Sequence, residues 1–182
     1  MRSPYERYTA LDDALDRVGE LSVRTLIVDI EPLVSWWDSR QESLDWGLAM
    51  VVGKVRTLPS VRVLIFSTNS DRRPSSLPSG AGPAGRNIEV VYLASAGKPM
   101  LMARYRDLPR PGAVLGDQVP TDGLLAWRLG FTFLHYQPQL DDVPLGPRLL
   151  HRIGRLAVPL LFSRGDDAPG KGDAIGHASE PR

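Results

Sequence analysis

Five short apolar runs constrain this chain most. They are Val23 to Val28, Val61 to Ser70, Ile88 to Ala94, Gly112 to Gln118 and Phe131 to Tyr136. Most of them stop in polar residues, and helical patterns or loops separate them. The spacing predicts helices over Thr9 to Leu21, with Leu11, Leu15, Val18 and Leu21 on one side and Thr9 as N-cap, and over Ser43 to Leu58, with Leu44, Leu48, Val51, Val52 and Val55. A short helix is predicted over "KPMLMARYRDL" (Lys98 to Leu108), and another over "PTDGLLAWRLG" (Pro120 to Gly130), closed by Gly130 as C-cap. Strands alternating with helices give an α/β fold: a mostly parallel central sheet with helices on both faces, a three-layer Rossmann-like arrangement.

The chain has 182 residues, enough for one core of ordinary size. The domain is read as residues 1–164. The last stretch, 165–182, has almost no large apolar residues and is read as a disordered tail. Between the second and third strands, Asp71 to Asn87 is rich in Pro, Gly and Ser and is predicted to be a mobile loop. There is no cysteine, which excludes disulfides, thiolate metal sites and a cysteine nucleophile. A net charge of +1 argues neither for nor against nucleic acid. No run approaches the roughly 18 apolar residues of a membrane span. The charged start "MRSPYERYTALDDALDR" lacks the apolar core of a secretory signal, so the expected location is cytoplasmic.

In an open parallel sheet, ligands gather outside the carboxyl ends of the strands. That rule selects Asp29 and Glu31 after the first strand, Ser67, Thr68 and Asn69 after the second, Lys98 after the third, and Asp117 with Asp122 after the fourth. Several carboxylates can hold a hard divalent cation through oxygen ligands. A lysine and a hydroxyl beside them can cradle a phosphoryl group. A carboxylate nucleophile would split phosphate hydrolysis into two easier steps. His135 and His151 show no metal-site spacing and read as structural.

In their order, "DIEPLV", "FSTNS", "GKP" and "GDQVPTD" resemble the four motifs of the haloacid dehalogenase-like (HAD) superfamily of phosphatases. More narrowly they resemble the YqeG-like, subclass IIIA members related to phosphatidylglycerophosphate phosphatases, which show "DLDNTL", "SNN", "KP" and "GDQ..TD". The resemblance covers roughly residues 4 to 162, and "GDQVPTDGLLAWRLGF" is its most specific piece. It implies a HAD fold without a cap domain, with Mg2+ as cofactor. Asp29 would be the nucleophile and a metal ligand. Glu31 would hold the second-acid position, on the metal through its carbonyl and on the leaving oxygen through its side chain. Ser67 and Thr68 would bind phosphate, Lys98 would neutralise it, and Asp117 and Asp122 would complete the metal site. The chain departs from the pattern at Glu31, where the family has Asp, at Pro32 for Asn, and at Leu33 for Thr.

The implied function is Mg-dependent phosphomonoester hydrolysis through an aspartyl-phosphate. The implied substrate is phosphatidylglycerophosphate or another large phosphorylated molecule, since an uncapped site stays open. Arg148, Arg152 and Arg155 fall on one side of a predicted amphipathic helix, Pro144 to Phe162. It would either make peripheral membrane contact or pack its apolar stripe on the sheet. Trp36 and Trp37 would line the entrance or pack. Two alternatives stand beside this reading. One is a HAD fold that binds a phospho-ligand or protein without hydrolysis. The other is a PIN- or NYN-like magnesium nuclease, against which Lys98 and Ser67 argue, so no nucleic-acid partner is expected.

Overall fold

The computed structural model describes residues 3–33, 40–137 and 158–164. Among them, seven strands form one sheet in the order β4-β3-β2-β5-β6-β1-β7, every pairing parallel. The strands are β1 (Ser3–Tyr8), β2 (Thr25–Asp29), β3 (Val63–Ser67), β4 (Glu89–Leu93), β5 (Gly112–Gly116), β6 (Thr132–Tyr136) and β7 (Phe162–Arg164). The helices are α1 (Leu11–Glu20), α2 (Gln41–Val55) and α3 (Leu124–Leu129).

The middle strands β2, β3 and β5 are buried along their whole length, which is why they read as unbroken apolar runs rather than alternating ones. Side chains of a strand point alternately to its two faces. On one face Leu26, Val28, Leu64, Phe66 and Leu115 pack with Leu15 and Val18 of α1 and Leu44, Leu48, Val51 and Val55 of α2. On the other, Ile27, Ile65, Val114 and Phe133 pack with Leu125 and Leu129 of α3, and with Tyr105. The α/β, Rossmann-like expectation therefore holds, with core on both sides of the sheet.

One strand is added and four local expectations are corrected. The N-terminal segment forms strand β1, lying between β6 and β7. Its polar sequence is accommodated because Glu6 takes up Arg17, with Nε to Oε2 at 2.9 Å, and the Tyr8 hydroxyl. Helix α1 starts behind Ala10 without a side-chain cap, so Thr9 is not its N-cap; Asp12 and Asp13 supply the favourable charge in its first turn. The span Lys98–Leu108 contains only a 3₁₀ turn at Met102–Tyr105, and Met100 and Leu101 stand exposed. Phe162 opens strand β7 instead of ending a helix. The loop 71–87 is anchored, since Gln41 bonds the Arg73 carbonyl, Asp45 accepts from the Ser75 N–H, and Ala81 bridges Asn87. Arg148, Arg152, Arg155, Trp36, Trp37 and the 165–182 tail lie outside the described residues.

No helix among the described residues is long and apolar enough to cross a membrane.

Candidate active site

The carboxyl ends of β2, β3 and β5 meet at one place. Asp29 is the last residue of β2 and sits in register with Ser67, the last of β3. Asp29 continues the Ile27 face, and Ser67 continues the Ile65 face, so both lie on the α3 side of the sheet. Asp117 follows β5 directly, and Asp122 comes from a single π-helical turn, Val119–Gly123, that leads into α3. Such turns widen the helix by one residue and recur at functional sites. Here the turn returns Asp122 over the strand end, where its carboxylate accepts from the Gln118 N–H at 3.3 Å. Gly116 makes this approach feasible, because a Cβ there would fall 2.5 Å from the Asp122 carboxyl carbon.

Lys98 arrives from the loop after β4. Its ammonium donates to Asp29 Oδ1 and to Asp122 Oδ1, each at 2.7 Å. The side chains are almost wholly withdrawn from water, at 2% exposure for Lys98, 5% for Asp29 and 0% for Asp122. Asn69 fixes the lysine's backbone at both ends. Its Oδ1 accepts from the Lys98 N–H at 2.7 Å, and its Nδ2 donates to the Lys98 carbonyl at 3.1 Å. Gly97 precedes it with φ +67, a left-handed turn that favours glycine.

Among the described residues, the buried ammonium of Lys98 is in contact with two of the four carboxyls of Asp29, Glu31, Asp117 and Asp122, and the electrostatics reflect the excess of acids. Burial pushes the Asp29 carboxyl well above the usual range; Lys98 opposes this, and Glu31 and Asp117 add to it. Burial, and then the charge of Asp29, push Asp122 up to about 7, against the pull of Lys98. Burial alone would lower Lys98, but the charges of Asp122 and Asp29 override it and hold the ammonium above its ordinary value.

Carboxylate oxygens of Asp29, Asp117 and Asp122 lie within 4.8 Å of one another. Three hard oxygen donors carrying excess negative charge fit a divalent cation of the magnesium or calcium kind. A buried group of three aspartates able to hold a metal ion is therefore present.

Glu31 is placed differently. It opens a 3₁₀ turn, Glu31–Leu33, and its Oε1 accepts from the Thr68 hydroxyl, while its Oε2 is buried without a hydrogen-bond partner. It is close enough to Asp29 to raise that group's pKa, yet it does not join the three-aspartate group. Thr68 is committed locally, since its hydroxyl also meets Ser70 Oγ at 2.8 Å. The Ser67 hydroxyl is buried and makes no hydrogen bond of normal geometry. It lies close to the buried Tyr105 phenol, whose pKa burial raises and whose neighbours Lys98 and Ser67 draw it back.

Of the residues selected from sequence, Asp29, Ser67, Lys98, Asp117 and Asp122 converge, whereas the Thr68 hydroxyl and Glu31 pair with each other beside Asp29. Two contributors receive no role from sequence. Asn69 is selected at its strand end, but its partners are backbone atoms that no side-chain pattern marks. His135 reads as structural, yet its Nε2 lies 2.9 Å from the Asp117 carbonyl and its Nδ1 lies 2.7 Å from the Tyr5 hydroxyl. The register of Gly116 with His135 across β5 and β6 places it there.

No family model matches the chain, and no match was found among curated proteins or solved structures.

Proposed function

We propose that the protein is a Mg-dependent phosphatase of the HAD type, hydrolysing a phosphomonoester through an aspartyl-phosphate on Asp29. The observation that carries this reading is the buried contact of Lys98 with both Asp29 and Asp122, beside Asp117, at a parallel strand end. A structural ion pair needs one carboxylate for one lysine, whereas this one is surrounded by an excess.

In the proposed reaction an Asp29 oxygen attacks phosphorus, and the P–O bond to the alcohol breaks. Glu31, in its protonated form, gives its proton to the departing alkoxide. A water molecule then attacks phosphorus of the acyl phosphate, giving its proton to Glu31, and the Asp29 carboxylate leaves as free phosphate forms. Lys98 offsets the charge on the non-bridging oxygens, and the Ser67 hydroxyl, without a partner of its own, donates to one of them. A magnesium ion held by Asp29, Asp117 and Asp122 would supply the remaining positive charge. The substrate proposed is a phosphate on a large molecule, phosphatidylglycerophosphate being the instance that the motif resemblance brings.

The assay is hydrolysis of an aryl phosphate with and without magnesium. Turnover is expected to need the metal, to disappear in Asp29→Asn, and to fall about 10²-fold in Ser67→Ala. Activity unchanged by Asp29→Asn would remove the nucleophile assignment. One observation favours a second reading, a module that binds a phospho-ligand without hydrolysis: Thr68 holds Glu31 outside the aspartate group. Under that reading no variant turns over and phosphate-ester binding persists. Under the first, Glu31→Asp alters the rate of the wild-type reaction.

A further inference from the structure

A cavity of about 350 Å³ opens at the other end of the sheet from Asp29. Its lining includes Leu108 and Arg110, just before β5, Phe131, just before β6, and Arg128 in the last turn of α3. These are the amino ends of the strands. Five-residue strands rising about 3.3 Å per residue put roughly 16 Å between those strand starts and the carboxylates. Tyr105 also lines the cavity, and its buried side chain lies between the cavity and Ser67.

Three arginines edge the cavity, Arg106, Arg110 and Arg128, and all are exposed. Among the described residues none is in an ion pair, although the acid Asp107 is on the same wall. Arg128 donates to the Pro99 carbonyl at 2.8 Å and lies at the carboxyl end of α3, where a cation is favoured. Arg110 sits over the Phe131 ring, 5.4 Å from its centre. Among the described residues, Arg106 has no hydrogen-bond or ion-pair partner that would account for its position beside the other two. Like charges brought to one concave surface repel, and an anion seated between them reverses the sign of that energy. Guanidinium forks match the oxygens of phosphate or phosphonate in pairs. The Phe131 and Leu108 side chains give the cavity an apolar wall, and its volume falls in the small-ligand range of roughly 300–1,000 Å³.

We propose that this cleft is a binding site for a small organic dianion, a phosphate or phosphonate ester with an apolar or aryl group. The dianionic head meets Arg106, Arg110 and Arg128, and the apolar part lies against Phe131 and Leu108. Asp29, Lys98, Asp117 and Asp122 are not in its lining, so its anion chemistry does not depend on what those carboxylates catalyse.

The test is calorimetric titration of the full chain with phenylphosphonate, in EDTA and at low ionic strength. Without a cation, the carboxylate-rich site repels a dianion, so the heat reports the cleft. The expected result is saturable binding at one site per chain, weakened about tenfold in Arg106→Gln and in Arg110→Gln. Methylphosphonate, which lacks the ring, is expected to bind more weakly. These arginines are exposed, so the variants should keep the wild-type circular dichroism. Absence of saturable binding, or affinity unchanged in both arginine variants, overturns the proposal.

Discussion

At the carboxyl end of the sheet, Lys98, Asp29 and Asp122 are buried and joined by two contacts of 2.7 Å. At the amino end, Arg24, Arg62 and Arg110 keep their charges in water. The same strands carry both sets, so neither the fold nor the residue types explain the contrast. The difference is in desolvation. A buried ion is tolerated only while its partners remain, whereas an exposed one is indifferent to them. The carboxyl end is thus a place where the chain accepts a desolvation cost, and the amino end a place where it does not.

The largest expected effect follows from removing the buried cation. Lys98→Met leaves Asp29 and Asp122 facing each other without compensation and should cost about 3–5 kcal/mol of stability. Arg62→Gln, at the amino end, should stay within about 0.5 kcal/mol. Urea midpoints of the two variants at neutral pH measure the contrast, and equal shifts would break it. Adding Asp122→Asn to Lys98→Met should recover part of the loss, because the two groups are in direct contact.

A second effect comes from protons. Asp122 is raised to about 7 and Asp29 is raised well above its ordinary value, so the folded metal-free protein binds more protons than the unfolded chain above about pH 4. Stability must then fall as pH rises from about 4 toward 7, by on the order of 1 kcal/mol per pH unit while one group titrates. Magnesium favours the ionised carboxylates and should flatten this slope. Thermal midpoints across pH 4.5–7.5, with EDTA and with magnesium, give the comparison. A metal-free slope of the opposite sign would show that Lys98 outweighs burial at Asp29 and Asp122.

Two glycines sharpen the same contrast at smaller scale. Gly116→Ala places a methyl 2.5 Å from the Asp122 carboxyl carbon, and overpacking there should cost about 1–3 kcal/mol while displacing Asp122 from Lys98. Gly130 caps α3 at φ +66, and alanine there meets open space apart from the Arg110 side chain, so only backbone strain of about 1 kcal/mol is expected. Both should lower the urea midpoint, but only Gly116→Ala should weaken metal binding, measured by magnesium titration.

How much of this was legible depended on whether a residue's partner was a side chain or the backbone. Strands β2, β3 and β5 announce themselves because burial on both faces leaves no polar position in their middles. Asp29, Ser67 and Asp117 follow from the strand-end rule alone. Strand β1 was hidden because its half-exposed polar residues find partners on other elements, Glu6 on Arg17 and Tyr5 on His135. The stretch after Lys98 imitated a helix because Met102 and Tyr105 have helical spacing, although they pack from a 3₁₀ turn. Asn69 was selected at a strand end but given no role, and His135 was not legible as a site residue, since each acts through a backbone atom that no side-chain pattern marks. Glu31 was selected as a strand-end acid, but its pairing with Thr68 depends on the backbone turn that carries it.

The smallest expected effect tests whether that backbone support matters at the carboxyl end. A carbonyl can only accept, so His135 Nε2 must carry the proton that meets the Asp117 carbonyl. The neutral ring then presents a bare Nδ1, and the Tyr5 hydroxyl donates to it. The Tyr5 hydroxyl therefore selects the tautomer that holds Asp117. Tyr5→Phe removes one hydrogen bond and should cost about 1 kcal/mol. Its ring contacts with Phe133 and Phe162 persist, so the packing between β1 and β6 is kept. The distinguishing readout is the His135 ring, followed by 15N chemical shifts. In the wild type the proton should rest on Nε2, whereas in Tyr5→Phe nothing donates to Nδ1 from that side, so the Nε2–H tautomer that supports the Asp117 carbonyl is less favoured. A magnesium affinity lower in Tyr5→Phe than in the wild type would extend the carboxylate site to β1. Equal affinities would confine it to the strand ends.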